Sequence, residues 1–347
     1  MRARRRGRAA GGGGDPLSAP ADGGAVDPGV LVRRAAARLA AAGIPSPRPD
    51  AEALLASVLG VDRAAARLAA LRGDALPPGT AAALEVLVDR RAAREPLQHL
   101  TGRAPFDGLD LAVGPGVFVP RPETEGLARA AAAAAAAVGR RRGRPPVVVD
   151  LCAGSGALAL AVAARVPDAR VTAVELSPDA LAWARRNVRA LGAEGGAVPA
   201  DRPGGPVRLL AGDVTAPLAA VPDLAALVGD VDVVVSNPPY IPPGAVPVDP
   251  EVRDHDPALA LYGGGDDGLL VPRAVLAVAA RLLAPGGVVL VEHAEVQQEA
   301  LLALLAAGPG APDAGSWRGA TGAADLTGRP RWVQAVRTAA ACHDAPS

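Results

Sequence analysis

The sequence predicts a doubly wound α/β sheet preceded by a small all-helical domain. Three observations carry the prediction: apolar residues at three-to-four spacing across residues 27–100, five short continuous apolar runs beyond residue 146, and helical stretches between those runs. Continuous apolar strands that alternate with helices mark a parallel sheet covered on both faces. With 347 residues, 50% of them hydrophobic, the chain is long enough for one full α/β core and a second, smaller unit.

Residues 1–26 mix Arg, Gly, Ala and Pro without periodicity, so they are expected to form a disordered leader with too little apolar surface to offset the entropy of ordering. The leader starts like the charged region of a secretion signal, but glycine stands where the apolar segment would follow, and export is not expected. The helical domain is expected over residues 27–103, with four or five helices. Val30, Leu31, Ala35 and Leu39 repeat at helical spacing, as do Ala53, Leu54, Val58 and Leu59. Ser46 or Asp50 is placed to cap one helix, and Pro77 with Pro78 opens another that carries Leu84, Val86 and Leu87.

Residues 104–121 read as a β-hairpin connector, because Leu109, Leu111 and Val113 alternate and Gly108, Gly114 and Gly116 punctuate them. The sheet domain is expected over residues 122–340, with strands at 147–151, 171–175, 207–211, 231–236 and 288–292, and a tail over 341–347. The alanine-rich run 128–138 is too short to span a bilayer and reads as a helix in water. The basic run 140–144, beside Pro145 and Pro146, reads as a solvated linker loop.

Basic and acidic residues balance at 36 each, and every basic residue is Arg, so the chain as a whole offers no attractive field for nucleic acid. Cys152 and Cys342 give neither a disulfide framework nor metal-ligand spacing, which points to a reducing, cytoplasmic setting with no metal site. His99, His255 and His293 have no Cys or second His at ligand spacing and read as hydrogen-bonded structural residues.

The chemistry is concentrated at the ends of the predicted strands. The first runs into Asp150-Leu151-Cys152-Ala153-Gly154-Ser155-Gly156, where the glycines allow a tight turn and close approach of a ligand, with a helix N-terminus behind. Glu175 ends the next strand, where a carboxylate can receive two ribose hydroxyls. The same placement serves a dinucleotide and S-adenosyl-L-methionine; the loop lacks the third glycine of the dinucleotide fingerprint, so a methyl donor without pyrophosphate fits better. Asp213 and Val214 follow the third strand, suited to an adenine amino group and ring, although a plain surface turn is the competing reading of Asp213.

After the fourth strand comes Asn237-Pro238-Pro239-Tyr240. A planar amide or aromatic amino nitrogen has a delocalised lone pair and is a poor nucleophile. Acceptors on the Asn237 side chain and the Pro238 carbonyl can each take one N–H and aim that lone pair, Pro239 stiffens the loop, and Tyr240 can pack on the flat group. The tetrapeptide by itself is shared by methyltransferases of planar nitrogens generally, including those acting on adenine or guanine in nucleic acid.

This chain also has Glu95-Pro96-Leu97-Gln98-His99-Leu100-Thr101-Gly102, a Val117-to-Glu125 segment containing Pro120-Arg121-Pro122-Glu123-Thr124, and Asp325-Leu326-Thr327-Gly328-Arg329-Pro330-Arg331. With these it resembles the bacterial PrmC/HemK family of protein glutamine methyltransferases from about residue 28 to 338. The resemblance implies a Rossmann-like class I methyltransferase sheet and N5-methylation of the glutamine in the Gly-Gly-Gln loop of class I peptide chain release factors. It implies that Cys152, Ala153, Gly154, Ser155 and Gly156 line the cofactor loop, Glu175 holds the ribose, and Asp213 and Val214 lie by the adenine. It further implies that Arg121 and Thr124 close over the methionine end of the cofactor and that Asn237, Pro238, Pro239 and Tyr240 grip the substrate glutamine.

The helical domain would dock the release factor, a cytoplasmic monomer would do the work, and neither stable nucleic-acid binding nor a membrane is implied. Cys152 stands where the family usually has Gly, and Val214 where some relatives have an aromatic. Residues 192–205 read as an inserted loop. Alternatives in the same chemistry are an adenine or guanine amino methyltransferase and a glutamine methyltransferase of a ribosomal protein.

Overall fold

A computed structural model describes residues 27–193, 207–308 and 316–339. The expected leader, nearly all of the 192–205 insertion, and the 341–347 tail with Cys342 lie outside the described residues. The described residues divide into two compact units, with the boundary between Val88 and Asp89.

The first unit is helical: α1 (Pro28–Ala41), α2 (Pro47–Leu59), α3 (Arg63–Arg72) and most of α4 (Thr80–Ala92). Asp27 caps α1, its carboxylate accepting from the Gly29 and Val30 amides, and Asp62 caps α3 through the Ala65 amide. Neither residue expected to cap α2 does so. Ser46 occupies the N-cap position without a side-chain bond and Asp50 is buried inside the first turn. The physical reason is Pro49 at the third helical position, which has no N–H for a cap to receive. Likewise Pro77 and Pro78 do not open α4: Gly79 intervenes at φ +83°, and the helix starts at Thr80, whose hydroxyl donates to the Pro77 carbonyl at 2.8 Å. The buried stripe of α4 is Leu84 and Val88, one turn apart, while Val86 is 58% exposed.

The second unit contains α5 (Leu97–Thr101), the hairpin strands β1 (Arg103–Phe106) and β2 (Leu109–Ala112), α6 (Glu125–Arg142), β3 (Val147–Leu151), α7 (Ala157–Arg165), β4 (Arg170–Glu175), α8 (Pro178–Ala193) and β5 (Val207–Ala211). It continues through α9 (Pro222–Ala225), β6 (Val231–Ser236), α10 (Pro250–His255), α11 (Ala258–Leu261), α12 (Leu270–Leu282), β7 (Leu283–Glu292), α13 (Gln298–Ala307), β8 (Trp317–Ala324) and β9 (Pro330–Arg337). Among the described residues the main sheet has the order β5-β4-β3-β6-β7-β9-β8. Strands β3 to β7 are mutually parallel, and β9 and β8 return antiparallel along one edge.

Alternate residues of the central strands serve opposite faces, and both are buried. Val148, Val233, Val235 and Leu290 pack with the alanine-rich faces of α6 and α7, whereas Val149, Leu151, Val234 and Val289 pack with α12 and α13. Small side chains at Ala128, Ala131, Ala135 and along α7 let those helices lie close to the sheet. The 128–138 run is therefore one wall of a core.

The basic run 140–144 is not a solvated loop. Its first three arginines finish α6, where cations favour the helix C-terminus, and it is tied down by a buried carboxylate. Arg142 and Arg144 pair with Asp232 on β6 at 2.6 and 2.8 Å, and Asp232 also accepts the Val147 amide at 2.8 Å. Strands β8 and β9 were not expected from the sequence: β8 carries two glycines and an exposed face, so it shows no apolar run.

Candidate active site

The chain leaves β3 for β4 on one side of the sheet and later places β6 on the other, which opens a crevice beyond the carboxyl ends of β3 and β6. A cleft of about 620 Å³ lies there. Its wall includes Cys152, Ala153, Gly154 and Ser155 after β3, Glu175 at the end of β4, Asp213 and Val214 after β5, and Asn237, Pro238, Pro239 and Tyr240 after β6. Arg121 and Thr124, ahead of α6, line it too. Gly156 is the one expected site residue set back from the wall; it stands at the N-cap of α7 with φ +84°.

The loop after β3 turns through left-handed backbone at Cys152 (φ +61°) and Gly154 (φ +57°). A Cβ on Gly154 would meet nothing within 4 Å, so glycine serves the dihedral there and leaves the amide facing Glu175. Glu175 accepts that amide at 2.7 Å on one oxygen and the Ser177 amide at 2.7 Å on the other. The cleft-lining carboxylate is thus also the brace of the loop, and each oxygen keeps a second lone pair. Asn187 on α8 adds another brace, donating to the Ser155 carbonyl at 3.0 Å.

Asp150 is fully buried, accepts the Ala159 amide at 3.0 Å, and leaves its other oxygen without a partner. Burial, assisted by the nearby Glu175 charge, pushes it up to about 8, so it holds a proton at neutral pH. Burial likewise pushes the Cys152 thiol far up, with Glu175 and Asp150 adding to the effect, and the group stays an un-ionised thiol.

Other wall residues are held in advance. Arg121 donates to Asp256 at 2.7 Å and lies 5.0 Å above the Phe118 ring. Asp213 accepts the Thr215 amide at 2.8 Å, so the turn expected as its plain role is present and its residue still lines the cleft. Asn237 donates its side-chain N–H to the Thr124 hydroxyl at 3.3 Å. The Tyr240 phenol is pushed up by burial first and by Glu292 next, and it stays protonated.

The Asn237–Tyr240 loop rests on a bed that no sequence motif announces. Tyr240 and Ile241 amides both donate to the Leu261 carbonyl, at 3.2 and 2.8 Å. Gln297, 6% exposed, donates to the Tyr240 carbonyl at 2.8 Å and to the Asp267 carbonyl at 3.0 Å. Gly268 packs so tightly that an added Cβ would stand 2.3 Å from the Tyr240 oxygen, and one on Gly263 would stand 2.7 Å from the Pro239 oxygen. Glu292 and Arg331 also line the cleft without having been singled out. Glu292 did carry a signal: like Glu175, it is an acid that closes an apolar parallel strand. His293 is fully buried and its Nδ1–H donates to the Ala294 carbonyl at 2.8 Å, a structural role as expected.

Strand order, glycine loop and ribose-type carboxylate together define an S-adenosylmethionine-dependent methyltransferase domain on a Rossmann-like sheet. The donor set fits that cofactor, with a braced carboxylate after β4 and a glycine loop after β3 open to close approach. Residues 148–237 match a family model described as a methyltransferase domain, and residues 31–102 match the PrmC N-terminal domain. The release factor glutamine methyltransferase of Bifidobacterium longum is 43% identical over 88% of this chain and 98% of its own length. That of Mycolicibacterium smegmatis is 48% identical over 89% of this chain and 97% of its own length. A 4-amino-L-phenylalanine/4-methylamino-L-phenylalanine methyltransferase of Streptomyces pristinaespiralis is 44% identical over 63% of this chain and 68% of its own length. The chain belongs to the release factor glutamine methyltransferase family.

Proposed function

We propose that this chain transfers a methyl group from S-adenosylmethionine to the side-chain amide nitrogen, N5, of the glutamine in the Gly-Gly-Gln loop of class I release factors. The observation that carries the proposal is the placement of Asn237, Pro238, Pro239 and Tyr240 at the switch-point crevice beside the braced Glu175 loop. Bound S-adenosylmethionine supplies a methyl carbon made electrophilic by its sulfonium. Everything else is the work of the chain's own groups.

Glu175 receives the ribose hydroxyls on the lone pairs its amide partners leave free, Asp213 and Val214 take the adenine, and Arg121 and Thr124 cover the methionine end. Cys152, Ala153, Gly154 and Ser155 form the loop wall, with Gly156 setting the start of α7. Asn237 and the Pro238 carbonyl each accept one N–H of the substrate amide, which aims its lone pair and favours the positive charge that grows on nitrogen. Pro239 restricts the loop and Tyr240 packs against the amide plane. The N–H proton becomes acidic only as the nitrogen is alkylated, so no strong base has to act first.

Residues 27–103 are assigned to docking of the release factor, in keeping with the family model matched there. We take the enzyme to act as a monomer, and a release factor as substrate puts the reaction in the cytoplasm. Among the described residues no helix is long and apolar enough to cross a membrane.

A second possibility is a free aromatic amine, because the Streptomyces pristinaespiralis relative is named for one. The test is transfer of labelled methyl to purified release factor, to its Gln→Ala loop variant, to nucleic acid, to ribosomes and to 4-aminophenylalanine. Label on the intact factor and none on the variant is the expected result. Label confined to the small amine, to nucleic acid or to a ribosomal protein would overturn the substrate.

A further inference from the structure

Glu292 ends β7, and the register of β6 against β7 pairs Ser236 with Val291, so the next residues, Asn237 and Glu292, leave the sheet side by side. Glu292 is 3% exposed, and one of its carboxylate oxygens is buried without a hydrogen-bond partner. The Thr124 hydroxyl and the Asn237 side-chain amide lie against this carboxyl. Arg331 from β9, Glu123 from the turn before α6, and Tyr240 from the loop after β6 supply the other titratable groups around it. A carboxylate buried this deeply in a catalytic wall needs a function to offset its cost of desolvation.

The directions of the hydrogen bonds provide one. An ionised carboxylate can only accept. Thr124 can therefore donate its O–H to Glu292 while it accepts the Asn237 N–H at 3.3 Å. With one Asn237 N–H on Thr124 and the partnerless Glu292 oxygen beside it to draw the other, the amide oxygen is left to face the cleft. Turned over, the same amide would present N–H to the substrate's own N–H, and the acceptor that aims the lone pair would be lost.

We infer that ionised Glu292 is the positioning residue that fixes the Asn237 amide, nitrogen towards Glu292 and Thr124, oxygen towards the substrate amide. This inference rests on the proposed methylation of a planar amide. Protonated Glu292 carries a donor of its own, and its O–H can point at the Asn237 oxygen and stabilise the inverted amide. Burial raises the Glu292 carboxyl to about 7, against the opposing pull of Thr124, Arg331 and Asn237, so this switch falls within the working range of pH. The active form is the deprotonated one, and the rate of transfer rises as pH increases through that value.

The experiment is the single-turnover rate of methyl transfer to release factor, both substrates saturating, between about pH 5.5 and 8.5. The wild-type rate is expected to climb about tenfold per pH unit on the acid side and to level off above neutrality. Glu292→Gln, nearly isosteric, removes both the charge and the titration. It is expected to lower the rate by about 100-fold and to lose the acid limb, with cofactor Kd and release-factor KM changed by less than about threefold. A Glu292→Gln rate near that of wild type, an acid limb that survives the substitution, or a loss expressed mainly in KM would overturn the inference. So would a flat wild-type profile, which decides the matter even if the variant does not fold. Inactivity of the wild type towards release factor is a different outcome, because it removes the substrate proposal and this inference with it.

Discussion

Replacing Gly268 with Ala separates backbone strain from displacement of the Asn237–Tyr240 loop. Gly268 has φ +74°, and a Cβ added there would lie 2.3 Å from the Tyr240 oxygen, 2.8 Å from the Pro242 nitrogen and 2.9 Å from the Ile241 carbonyl carbon. Since real Cβ contacts stay beyond 3.0 Å, the backbone at Tyr240 must retreat by about 0.7 Å. Gln297 and the Leu261 carbonyl hold that backbone in place, so the retreat is resisted. The left-handed residue costs about 1–2 kcal/mol, and overpacking adds about 1–3 kcal/mol. For a unit of this size a loss of about 3 kcal/mol lowers Tm by roughly 6–12 °C. A displacement approaching 1 Å at Asn237–Tyr240 should lower kcat by about 100-fold, with cofactor Kd nearly unchanged because the Glu175 loop is not touched.

Gly265→Ala is the control. It has the same left-handed strain at φ +67°, but its nearest neighbours would be 3.5 Å away and belong to Asp267 and Leu270. That variant is expected to lose about 1–2 kcal/mol and to keep its kcat. Calorimetry, cofactor titration and steady-state kinetics on the two proteins provide the comparison. A Gly268→Ala enzyme with wild-type kcat, or a Gly265→Ala enzyme just as impaired, would refute the idea that this bed sets the position of the Asn237–Tyr240 loop.

Four further outcomes are expected. Asn237→Ala should reduce kcat by about 100- to 1000-fold with a much smaller change in cofactor affinity; loss of affinity at normal turnover would contradict its assignment to the substrate. Glu175→Ala should raise cofactor Kd most, and because Glu175 also braces Gly154, calorimetry should show a lowered Tm in the cofactor-free protein as well. Cys152→Gly, which suits φ +61°, should bind cofactor as wild type does and match its Tm within a few degrees, whereas Cys152→Val places a β-branched residue in left-handed backbone and should lower Tm clearly. Glu251, on α10, pairs with Arg91 and Arg94 at 2.7 Å each. Burial alone would raise its carboxyl, but its coupling to the neighbouring Asp249 carboxyl and the hydrogen bonds that Arg91 and Arg94 donate to it overcome that and hold it well below its usual value of 4.5. Its contribution is therefore present above pH 4.5 and lost as pH falls towards 2, and Glu251→Ala should cost about 3–5 kcal/mol at neutral pH. Equal acid sensitivity of wild type and variant in denaturant titrations would argue against it.

The residues that line the cleft were largely legible because their chemistry is stated locally. Glycines where the backbone must turn, acids at strand ends, and Asn-Pro-Pro-Tyr after an apolar run each state their chemistry within a few positions of sequence. Parallel strands were legible for a related reason, since burial on both faces demands continuous apolar runs. The edge strand β8, half exposed and glycine-bearing, has no such demand placed on it and left no pattern.

What the sequence by itself determined, then, is the succession of the parallel strands and the helices between them, the glycine loop, the acid at the end of β4 and the tetrapeptide after β6, all of them written in short-range spacing. Tertiary structure alone decided the partners: Gln297 under Tyr240, Gly268 against the same loop, Arg144 on Asp232, and Glu292 beside Asn237. These pairs lie some 28 to 88 positions apart in the chain and meet only when parallel strands set their ends level. The physical reason is that hydrogen-bond direction and buried charge depend on which groups are packed together, and packing is fixed by the sheet and not by neighbours in sequence.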